Sequence, residues 1–425
     1  MAGVRSNGAP CGLPPRKWTP NMLRTATHFR RVMRICDVLR GRNSRKHESR
    51  SRLSTLRKLS QSSSAVLRWA DFLAENHSPD RCNTYKTVLD AAFSVSISHS
   101  SLFSTSLSIT FPPAQKGISF QTMSSTTALV MRATGAQGRG AIKHLFNSGW
   151  QVHALVTDAS SDRAVALKSL GPNVTIYEGT WTEPASIETA MKGCQALLLN
   201  QMPSFTDDSE VREARAILDI AKAVGVQHVV FPSTHPLNKP NIREELKDSP
   251  IAPAVLNKGD VEEIVKASGM TWTLLRPGYF LTNLLPPIVY GMYPEMKDRK
   301  FLNSYGPDCV LTLVDTDDVG AFVAAAFENP RKFGGEIVTV VGESMRVDDM
   351  LQKLGQASGR PIKAVYRTVE ETEKAKSSPY VAGHLLCIGL DKYVDMEEVR
   401  SWGVPLTSFA QFLEKHKDEI QSMSD

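Results

Sequence analysis

A glycine-rich turn at residues 132–140 contains the residue types best suited to bind a phosphate group. Its glycines are Gly135, Gly138 and Gly140, and it follows the short apolar run ALVM that begins at Ala128. Apolar residues recur at helical spacing after the turn. A strand, a glycine turn and a helix in this order direct backbone N–H groups and the positive end of a helix dipole at one point, where a pyrophosphate commonly binds. The pattern predicts a dinucleotide-binding protein.

The first position of this turn departs from the usual pattern. In a G-x-x-G-x-x-G spacing the three places fall on Arg132, Gly135 and Gly138, so a long cationic side chain stands where the chain turns tightly. A glycine pattern alone also occurs by chance, and a second strand after the helix is needed to support it. Residues 152–156, VHALV, predict that strand and complete a β-α-β unit.

Strands and helices alternate beyond this unit. Further short apolar strands are predicted at 174–177, 196–199, 228–231 and 272–275. We expect Asn257 to cap the helix that precedes the last of them. Continuous apolar strands separated by helices indicate an α/β fold, a doubly wound parallel sheet covered on both faces.

The alternation loosens after Pro277. Residues 278–305 and 363–425 are expected to supply most of a smaller C-terminal substrate lobe over the carboxyl edge of the sheet. In open α/β sheets, ligands bind at that edge.

Charge divides the chain into two parts. Residues 1–122 hold 19 Lys and Arg against 6 Asp and Glu, whereas residues 123–425 hold 31 against 38. The first part is a basic extension rich in Ser and Arg, and we expect it to be disordered. The second part has the mildly acidic composition of a folded domain, and its strand pattern starts shortly after Met123.

Three interpretations of the basic extension remain open. It is a disordered or upstream segment, a mitochondrial presequence, or a nucleic-acid-binding tail. Presequences are rich in Arg and Ser and poor in acidic residues, and phosphate binding needs Arg and Lys. Binding to nucleic acid is the least favoured of the three, because no recognisable module interleaves aromatic and basic residues.

The sequence predicts neither a membrane span nor a metal site. The most apolar segment of the extension, residues 91–111, is interrupted by many Ser and Thr residues, whereas a spanning helix needs roughly 20 apolar residues. The six cysteines are scattered without metal-binding spacing. We therefore expect a cytoplasmic protein, or a mitochondrial one if the extension is a presequence.

Four blocks of sequence resemble the NmrA-like family of atypical short-chain dehydrogenases/reductases. The similarity covers about residues 125 to 402. The blocks are ATGAQGRG at 133–140, AKAVGVQHVVFPST at 221–234, NKGDVEEIVKASGMTWTLLRPGYFLTN at 257–283 and DTDDVGAFVAAAFENP at 315–330. The resemblance implies a Rossmann fold that prefers NADP(H), in members that are either reductases or regulators sensing the redox state of the cofactor.

The resemblance also implies which residues meet the cofactor. Within the turn it places Arg132, Thr134, Gly135, Gln137 and Gly138 at the dinucleotide.

The residues near the expected adenosine 2′-phosphate depart from the family pattern. Thr157 and Thr180 replace the basic and acidic residues that the family often has after its second and third strands. Arg139, Arg163 or Arg132 would supply the charge that a 2′-phosphate needs. Asp158 would instead accept a hydrogen bond from a ribose hydroxyl and favour NAD. NADP is the predicted cofactor and NAD the alternative.

The resemblance places Lys258 at the nicotinamide ribose. In short-chain dehydrogenases a tyrosine four residues earlier gives the proton to the substrate, but in this chain that position is Ala254. Replacement acids are His235, after the fifth strand, Tyr279, after the sixth, and Tyr305 as a weaker choice. The pair Ser233 and Thr234 stands where the superfamily has a hydroxyl that orients the substrate carbonyl.

Two functions follow from these residues. The first is an NADP-dependent oxidoreductase acting on a small organic intermediate, such as a carbonyl or imine of fungal secondary metabolism, with Lys258, His235 and Tyr279 as catalytic residues. The second is a dinucleotide sensor without catalysis, which regulates a transcription factor or an enzyme by protein contact. The missing tyrosine favours the second, and the resemblance to reductases favours the first.

Overall fold

The computed structural model of the protein describes residues 94–100, 104–110 and 126–424. Strands β1 (Ser94–Ser100) and β2 (Ser104–Thr110) pair with each other in antiparallel register. In both strands Ser or Thr alternates with other residues, mostly apolar ones, which is the period of a strand. The rest of the predicted basic extension, residues 1–122, lies outside the described residues, so its disorder stays a prediction.

The remaining strands belong to the folded part of the chain. They are β3 (Thr127–Val130), β4 (Gln151–Val156), β5 (Val174–Glu178), β6 (Ala196–Leu198), β7 (His228–Pro232), β8 (Thr271–Pro277), β9 (Tyr279–Phe280), β10 (Lys300–Asn303), β11 (Val310–Val314), β12 (Glu336–Val340), β13 (Glu343–Arg346) and β14 (Lys363–Tyr366).

The α-helices of the described residues lie between and after these strands. They are α1 (Ala136–Asn147), α2 (Asp162–Lys168), α3 (Pro184–Met191), α4 (Ser209–Val224), α5 (Ile242–Leu246), α6 (Ala252–Ala267), α7 (Ile288–Met292), α8 (Thr316–Glu328), α9 (Pro330–Phe333), α10 (Val347–Ala357), α11 (Val369–Ala375), α12 (Pro379–Cys387), α13 (Met396–Ser401), α14 (Phe409–Lys415) and α15 (Lys417–Gln421).

The main sheet has the order β12-β8-β7-β6-β3-β4-β5, and every pair in it is parallel. The chain runs outward from β3 to β5 and then returns to the other side of β3 at β6. This reversal opens a crevice at the carboxyl ends of β3 and β6, where ligands of such sheets bind. The predicted doubly wound parallel sheet is confirmed.

Each face of the sheet has its own apolar core. In β3, Ala128 and Val130 pack on the side of α1 and α8, whereas Leu129 packs on the side of α3, α4 and α6. Helices α1 and α8 approach very closely, because a Cβ at Gly320 would lie 2.3 Å from the carbonyl carbon of Gly140. The continuous apolar runs of the sequence are therefore strands buried on both sides.

Helix α6 begins earlier than the sequence predicts. It starts at Ala252, with a proline in its first turn, and Asn257 lies inside it rather than at its cap. A proline is well suited to the first turn of a helix, where its missing N–H is not needed, and this signal outweighs the asparagine. Ala254 and Lys258 consequently lie one turn apart on the same helix.

A second core forms the smaller lobe. Its buried residues come from segments 281–313, 345–354 and 409–423. It thus draws on β11 and α10, which fall between the two predicted ranges of the substrate lobe, 278–305 and 363–425. Trp402 and Leu406 instead pack against the core of the main sheet.

No helix among the described residues is long and apolar enough to cross a membrane.

Candidate functional site

The glycine turn keeps its backbone shape although Arg132 replaces the first glycine. Arg132 has a positive φ of 49°, the left-handed conformation that glycine adopts without cost. For a residue with a side chain this conformation costs about 1–2 kcal/mol. A Cβ at Gly138 would lie 2.5 Å from the Arg132 carbonyl oxygen, so the first turn of α1 approaches β3 as closely as backbone allows.

The amino end of α1 has the features of an anion-binding site. Gly135 precedes the helix, no side chain caps it, and its first turn contains no acidic residue. The free N–H groups of a helix start and the helix dipole together attract a phosphate. Gln137 lies in this turn, and its side-chain oxygen is buried without a hydrogen-bond partner.

The side chain of Arg132 turns away from the helix and stacks on an aromatic ring. Its guanidinium carbon lies 3.3 Å from the ring centroid of Trp181, which follows β5. Burial lowers the pKa of Arg132, and the nearby carboxylates of Glu213 and Glu210 oppose this shift. The cation is therefore held between an aromatic ring and two acidic residues.

Lys258 forms a buried ion pair that was not predicted from the sequence. Its Nζ donates to Oε1 of Glu210 at 2.8 Å, and the Glu210 side chain is fully buried. The same Nζ lies 5.4 Å from the ring centroid of Phe231 on β7. Lys258 thus lies near β7 and the start of α4, and its place at the nicotinamide ribose stays a prediction.

Several buried polar atoms in this crevice have no hydrogen-bond partner. They are Arg132 Nε, Gln201 Oε1, Glu210 Oε2 and Ser233 Oγ. The Gln201 amide donates instead to the Glu210 carbonyl oxygen at 2.9 Å. We call Arg132, Gln201, Glu210, Ser233 and Lys258 the edge cluster. Buried polar groups are nearly always paired, so this group of unpaired atoms at a carboxyl edge indicates a ligand site.

A bidentate ion pair fixes α6 against the sheet. Glu262, one turn beyond Lys258, accepts two hydrogen bonds from Arg276, from Nε at 2.9 Å and from Nη2 at 2.6 Å. Arg276 also donates to the Leu237 carbonyl oxygen and to Asn238 Oδ1, at 3.1 and 2.9 Å. The pair therefore positions the helix of Lys258 relative to the turn that follows β7.

Two arginines lie together at the other end of the glycine turn. Arg139 donates to the Thr134 carbonyl oxygen at 2.6 Å, and burial together with the charge of Arg163 lowers its pKa. Arg163, in the first turn of α2, is exposed. Among the described residues, no ion pair joins either arginine to an acidic residue. The two cations are available to an anionic group.

Asp158 is exposed and already hydrogen-bonded within its own loop. Its Oδ1 accepts from the backbone N–H and the hydroxyl of Ser160, at 2.8 and 2.6 Å. These bonds hold the pKa of the Asp158 carboxyl below its usual range. One carboxylate oxygen is thus engaged before any ribose hydroxyl arrives.

His235 is buried, and both of its ring nitrogens have partners. Nδ1 lies 3.3 Å from the Thr312 hydroxyl and Nε2 lies 3.4 Å from the Tyr393 carbonyl oxygen. Burial lowers the pKa of His235, so the ring is neutral near pH 7. Its role as a proton donor stays a prediction, and this geometry ties it to the smaller lobe.

Tyr279 lies directly beyond β8 and is partly exposed. Its hydroxyl is 3.1 Å from that of Tyr293, which is 2.8 Å from that of Tyr305. Burial raises the pKa of Tyr279 well above its usual value, so its hydroxyl stays protonated near neutral pH. Its role as an acid also stays a prediction. Tyr279 and His235 follow the adjacent strands β8 and β7.

The predicted hydroxyl pair consists of one buried and one half-buried residue, and the position of the usual tyrosine is also buried. Ser233 is buried with its Oγ unpaired, whereas Thr234 is half-buried. Ala254 is buried on α6, so its methyl group leaves no hydroxyl at that position.

With this geometry established, the comparison with known proteins decides the family. Residues 124–384 match the model of the NmrA-like family. The chain belongs to that family.

Two kinds of relative accompany the family match. A (4-alkanoyl-5-oxo-2,5-dihydrofuran-3-yl)methyl phosphate reductase from Streptomyces griseus is 25% identical over 253 residues, covering 59% of this chain and 81% of that protein. The nitrogen metabolite repression protein nmr from Neurospora crassa is 26% identical over 305 residues, covering 64% of this chain and 60% of that protein. The chain is thus similar both to a reductase and to a protein named for repression.

A solved structure has the same fold. The NADPH-dependent quinone oxidoreductase from Escherichia coli, solved with NADPH, aligns with a TM-score of 0.54 and 19% identity, over 68% of this chain and 99% of that one. This likeness supports the Rossmann-type fold.

Sequence reasoning missed four residues of this site: Trp181, Gln201, Glu210 and Tyr293. Glu210 lies in the first turn of α4, where acidic residues are common because their negative charge interacts favourably with the helix dipole. Tyr293 lies in a segment without clear periodicity. Neither position carries a signal along the chain, because both gain their partners from segments far away in sequence.

Proposed function

We propose that this protein is an NAD(P)H-dependent oxidoreductase that prefers NADP(H) and reduces a small organic substrate. The observation that carries the proposal is the edge cluster, whose buried polar atoms lack partners, together with the uncapped start of α1. A dinucleotide supplies phosphates, hydroxyls and an amide, which are the partners that these atoms lack.

The residues present fit such a dinucleotide. The backbone N–H groups between Gly135 and Gly138, with Thr134 and Gln137, would hold the pyrophosphate. Arg139 and Arg163 would hold the 2′-phosphate of NADP, and the absence of an ion pair to either arginine among the described residues supports this preference, although the Glu419 carboxylate acts on Arg139 from a distance. If Asp158 instead receives a ribose hydroxyl, NAD would be bound.

The reaction proposed for the site is hydride transfer. The bound nicotinamide would supply the hydride, as it does in the oxidoreductases that use it. Lys258 would hold the nicotinamide ribose with the two protons of its Nζ that Glu210 does not use. Glu210 would hold the Lys258 side chain in place, and Ser233 would orient the substrate oxygen.

The substrate proposed is a small carbonyl or imine compound, such as an intermediate of fungal secondary metabolism. The reductase from Streptomyces griseus supports a substrate of this class, because its name describes a small molecule with alkanoyl and oxo groups.

A sensor without catalysis is the second candidate. Two observations favour it: Ala254 stands in place of the usual tyrosine, and Lys258 is already paired with a buried carboxylate. In that case cofactor binding would control a contact with a protein partner.

Cofactor titration followed by turnover tests the proposal. NADPH should quench tryptophan fluorescence of the full chain and bind more tightly than NADH, and added salt should narrow this gap because it screens the arginines. The protein should then oxidise NADPH when a carbonyl compound is added. Tight binding without turnover on any carbonyl or imine would favour the sensor, and no binding would remove both candidates.

A further inference from the structure

Three tyrosines in the smaller lobe form a continuous chain of hydroxyl groups. Tyr279 and Tyr293 are joined at 3.1 Å, and Tyr293 and Tyr305 at 2.8 Å. Tyr279 is partly exposed at the sheet edge, whereas Tyr293 and Tyr305 are only 1% and 3% exposed. Because Tyr279 follows β8 at the carboxyl edge of the main sheet, the tyrosine chain runs from that edge into the core of the smaller lobe.

Aromatic packing holds the rings of the tyrosine chain in place. Tyr293 stacks on Phe301 with 4.0 Å between centroids, and its ring is parallel to that of His384. His384 accepts a hydrogen bond from the Ser304 backbone N–H at 3.2 Å, and burial lowers its pKa to about 4. The ring beside the tyrosines is thus a neutral imidazole. The hydroxyls bond to one another, and the Asn283 side chain is a further partner of Tyr279.

Short-chain dehydrogenases use a lysine to stabilise the phenolate that a tyrosine becomes when it gives up its proton. In this chain the corresponding Lys258 is bonded to Glu210, and the position of the tyrosine is Ala254. We propose that Tyr279 is the proton donor of the reaction, and that Tyr293 and Tyr305 stabilise its phenolate through the hydroxyl chain. Tyr279 is then a catalytic residue, and the other two are positioning residues.

The substrate would receive a hydride at its carbon and a proton at its oxygen. A bound reduced dinucleotide would supply a hydride to the substrate carbon and be oxidised, and the electron pair of the broken C=O π bond would move to the oxygen. That oxygen takes the proton of Tyr279, whose O–H electron pair stays on the phenolate. The Tyr293 hydroxyl donates to this phenolate and accepts from Tyr305. Water returns the proton to Tyr279 after the product leaves.

Hydrogen bonds to a charged oxygen are stronger than those between neutral groups. The Tyr293 bond gains this strength only while Tyr279 is ionised, so it acts on the transition state rather than on binding. Removing the Tyr293 hydroxyl should lower kcat on the order of tenfold with little change in KM. Removing the Tyr279 hydroxyl should lower kcat on the order of 10²-fold or more.

The inference rests on the proposed oxidoreductase function, and the first experiment compares turnover of full-chain variants at saturating NADPH. 4-Nitrobenzaldehyde is the carbonyl probe, and the variants are Tyr279→Phe, Tyr293→Phe and Tyr305→Phe. Tyr366→Phe is the matched control, because the Tyr366 hydroxyl donates to Asp348 at 2.6 Å outside the chain. We expect losses in the order Tyr279, Tyr293, Tyr305, and none in the control. A Tyr293 variant that equals the control overturns the proposal.

The second experiment needs no turnover and separates this inference from the proposed function. 4-Nitrophenol, whose visible absorption reports its ionised form, is titrated into the protein with NADP⁺ present. A phenolate oxygen imitates the charge that Tyr279 must stabilise, so Tyr279→Phe and Tyr293→Phe should each weaken its binding about tenfold relative to Tyr366→Phe. Equal binding by all variants, or no binding by the unaltered protein, overturns the inference. If NADPH also fails to bind, the proposed function fails separately.

Discussion

The edge cluster and the tyrosine chain both bury polar groups, but they satisfy them in opposite ways. In the edge cluster the atoms Arg132 Nε, Gln201 Oε1 and Glu210 Oε2 have no partner, whereas the tyrosine hydroxyls bond to one another. An unpaired buried group costs about 1–3 kcal/mol. A protein keeps such groups where a ligand supplies the missing partners, so the edge cluster is the binding side of the site. The tyrosine chain is complete without a ligand.

Charge separates the two regions as well. The edge cluster holds a lysine, an arginine and a buried carboxylate, and the tyrosine chain is neutral. Breaking a buried ion pair leaves an uncompensated charge, whereas removing one neutral hydroxyl leaves a single unpaired oxygen. The two regions should therefore respond very differently to mutation.

The largest effect is expected for Lys258→Met. It leaves the Glu210 carboxylate buried without a partner, so the free energy of unfolding should fall by about 3–5 kcal/mol. Urea unfolding measures this change. The double variant Glu210→Gln with Lys258→Met removes both charges and should recover much of the loss. Tyr305→Phe should cost only about 1 kcal/mol. Similar losses in Lys258→Met and Tyr305→Phe would remove the contrast between the two regions.

A slightly smaller effect is expected from the cofactor. NADPH at 100 times its dissociation constant should stabilise the folded protein by about 2.7 kcal/mol. Gly138→Ala should abolish this gain, because its Cβ would meet the Arg132 carbonyl oxygen at 2.5 Å. Thermal unfolding with and without NADPH measures it.

Gly259→Ala is the matched control for this experiment. Gly259 lies inside α6, and a Cβ there would make its nearest contact at 3.4 Å, with a flexible leucine side chain. Its NADPH stabilisation should equal that of the unaltered protein. If Gly138→Ala keeps the full stabilisation, the glycine turn is not where the dinucleotide binds.

The free energy of unfolding should depend on pH, because the His384 ring beside the tyrosine chain is neutral when it is buried. Burial lowers the pKa of His384 to about 4 from an unfolded value of about 6.5, so the folded state binds fewer protons than the unfolded state between these values. Stability is therefore complete above pH 6.5 and falls as the pH drops toward 4. At pH 5 the loss from this group should be about 2 kcal/mol.

His384→Gln tests this origin, since a glutamine oxygen can still accept from the Ser304 N–H. Urea unfolding at pH 7 and pH 5 should show a smaller difference in the variant than in the unaltered protein, by about 2 kcal/mol. An unchanged difference would assign the acid sensitivity to other buried groups, such as His228, whose pKa burial also lowers to about 4.

The smallest effect is expected at the adenosine end. Arg163→Ala should weaken NADPH binding by about 1 kcal/mol and leave NADH binding unchanged, because exposed arginine contributes modestly to phosphate binding. Arg331→Ala, on α9 next to the amino end of β8, is the control and should change neither. Equal losses for both cofactors in Arg163→Ala would show that this residue does not read the 2′-phosphate.

Much of the fold was predictable because its signals are local. The apolar runs at 128–131 and 228–231 are strands β3 and β7 with their neighbours, and the glycines between Gly135 and Gly140 mark where α1 begins. The start of α6 was wrong, because the proline in its first turn outweighs the cap signal of Asn257. Arg132 kept the turn of the missing glycine by adopting a positive φ, which no sequence rule would require.

Strand order alone placed the candidate residues near the sheet edge, but it carried no information on their side-chain partners. Lys258, His235 and Tyr279 all lie at or near the carboxyl edge, as strand order requires. Lys258 bonds to Glu210, His235 lies between Thr312 and Tyr393, and Tyr279 bonds to Tyr293. The partners in these contacts are 14 to 158 residues apart in the sequence.

The sequence by itself determined the doubly wound sheet and the glycine turn, because periodicity and turn chemistry act over a few residues. The resemblance of four sequence blocks indicated the family. Only the tertiary structure decided which polar groups are paired. Burial removes water as a partner, and whether another atom takes its place depends on how distant segments pack. That packing leaves Glu210 with one free oxygen and gives each tyrosine hydroxyl a neighbour. It thereby separates the part of the site suited to hold a ligand from the part suited to stabilise a charge.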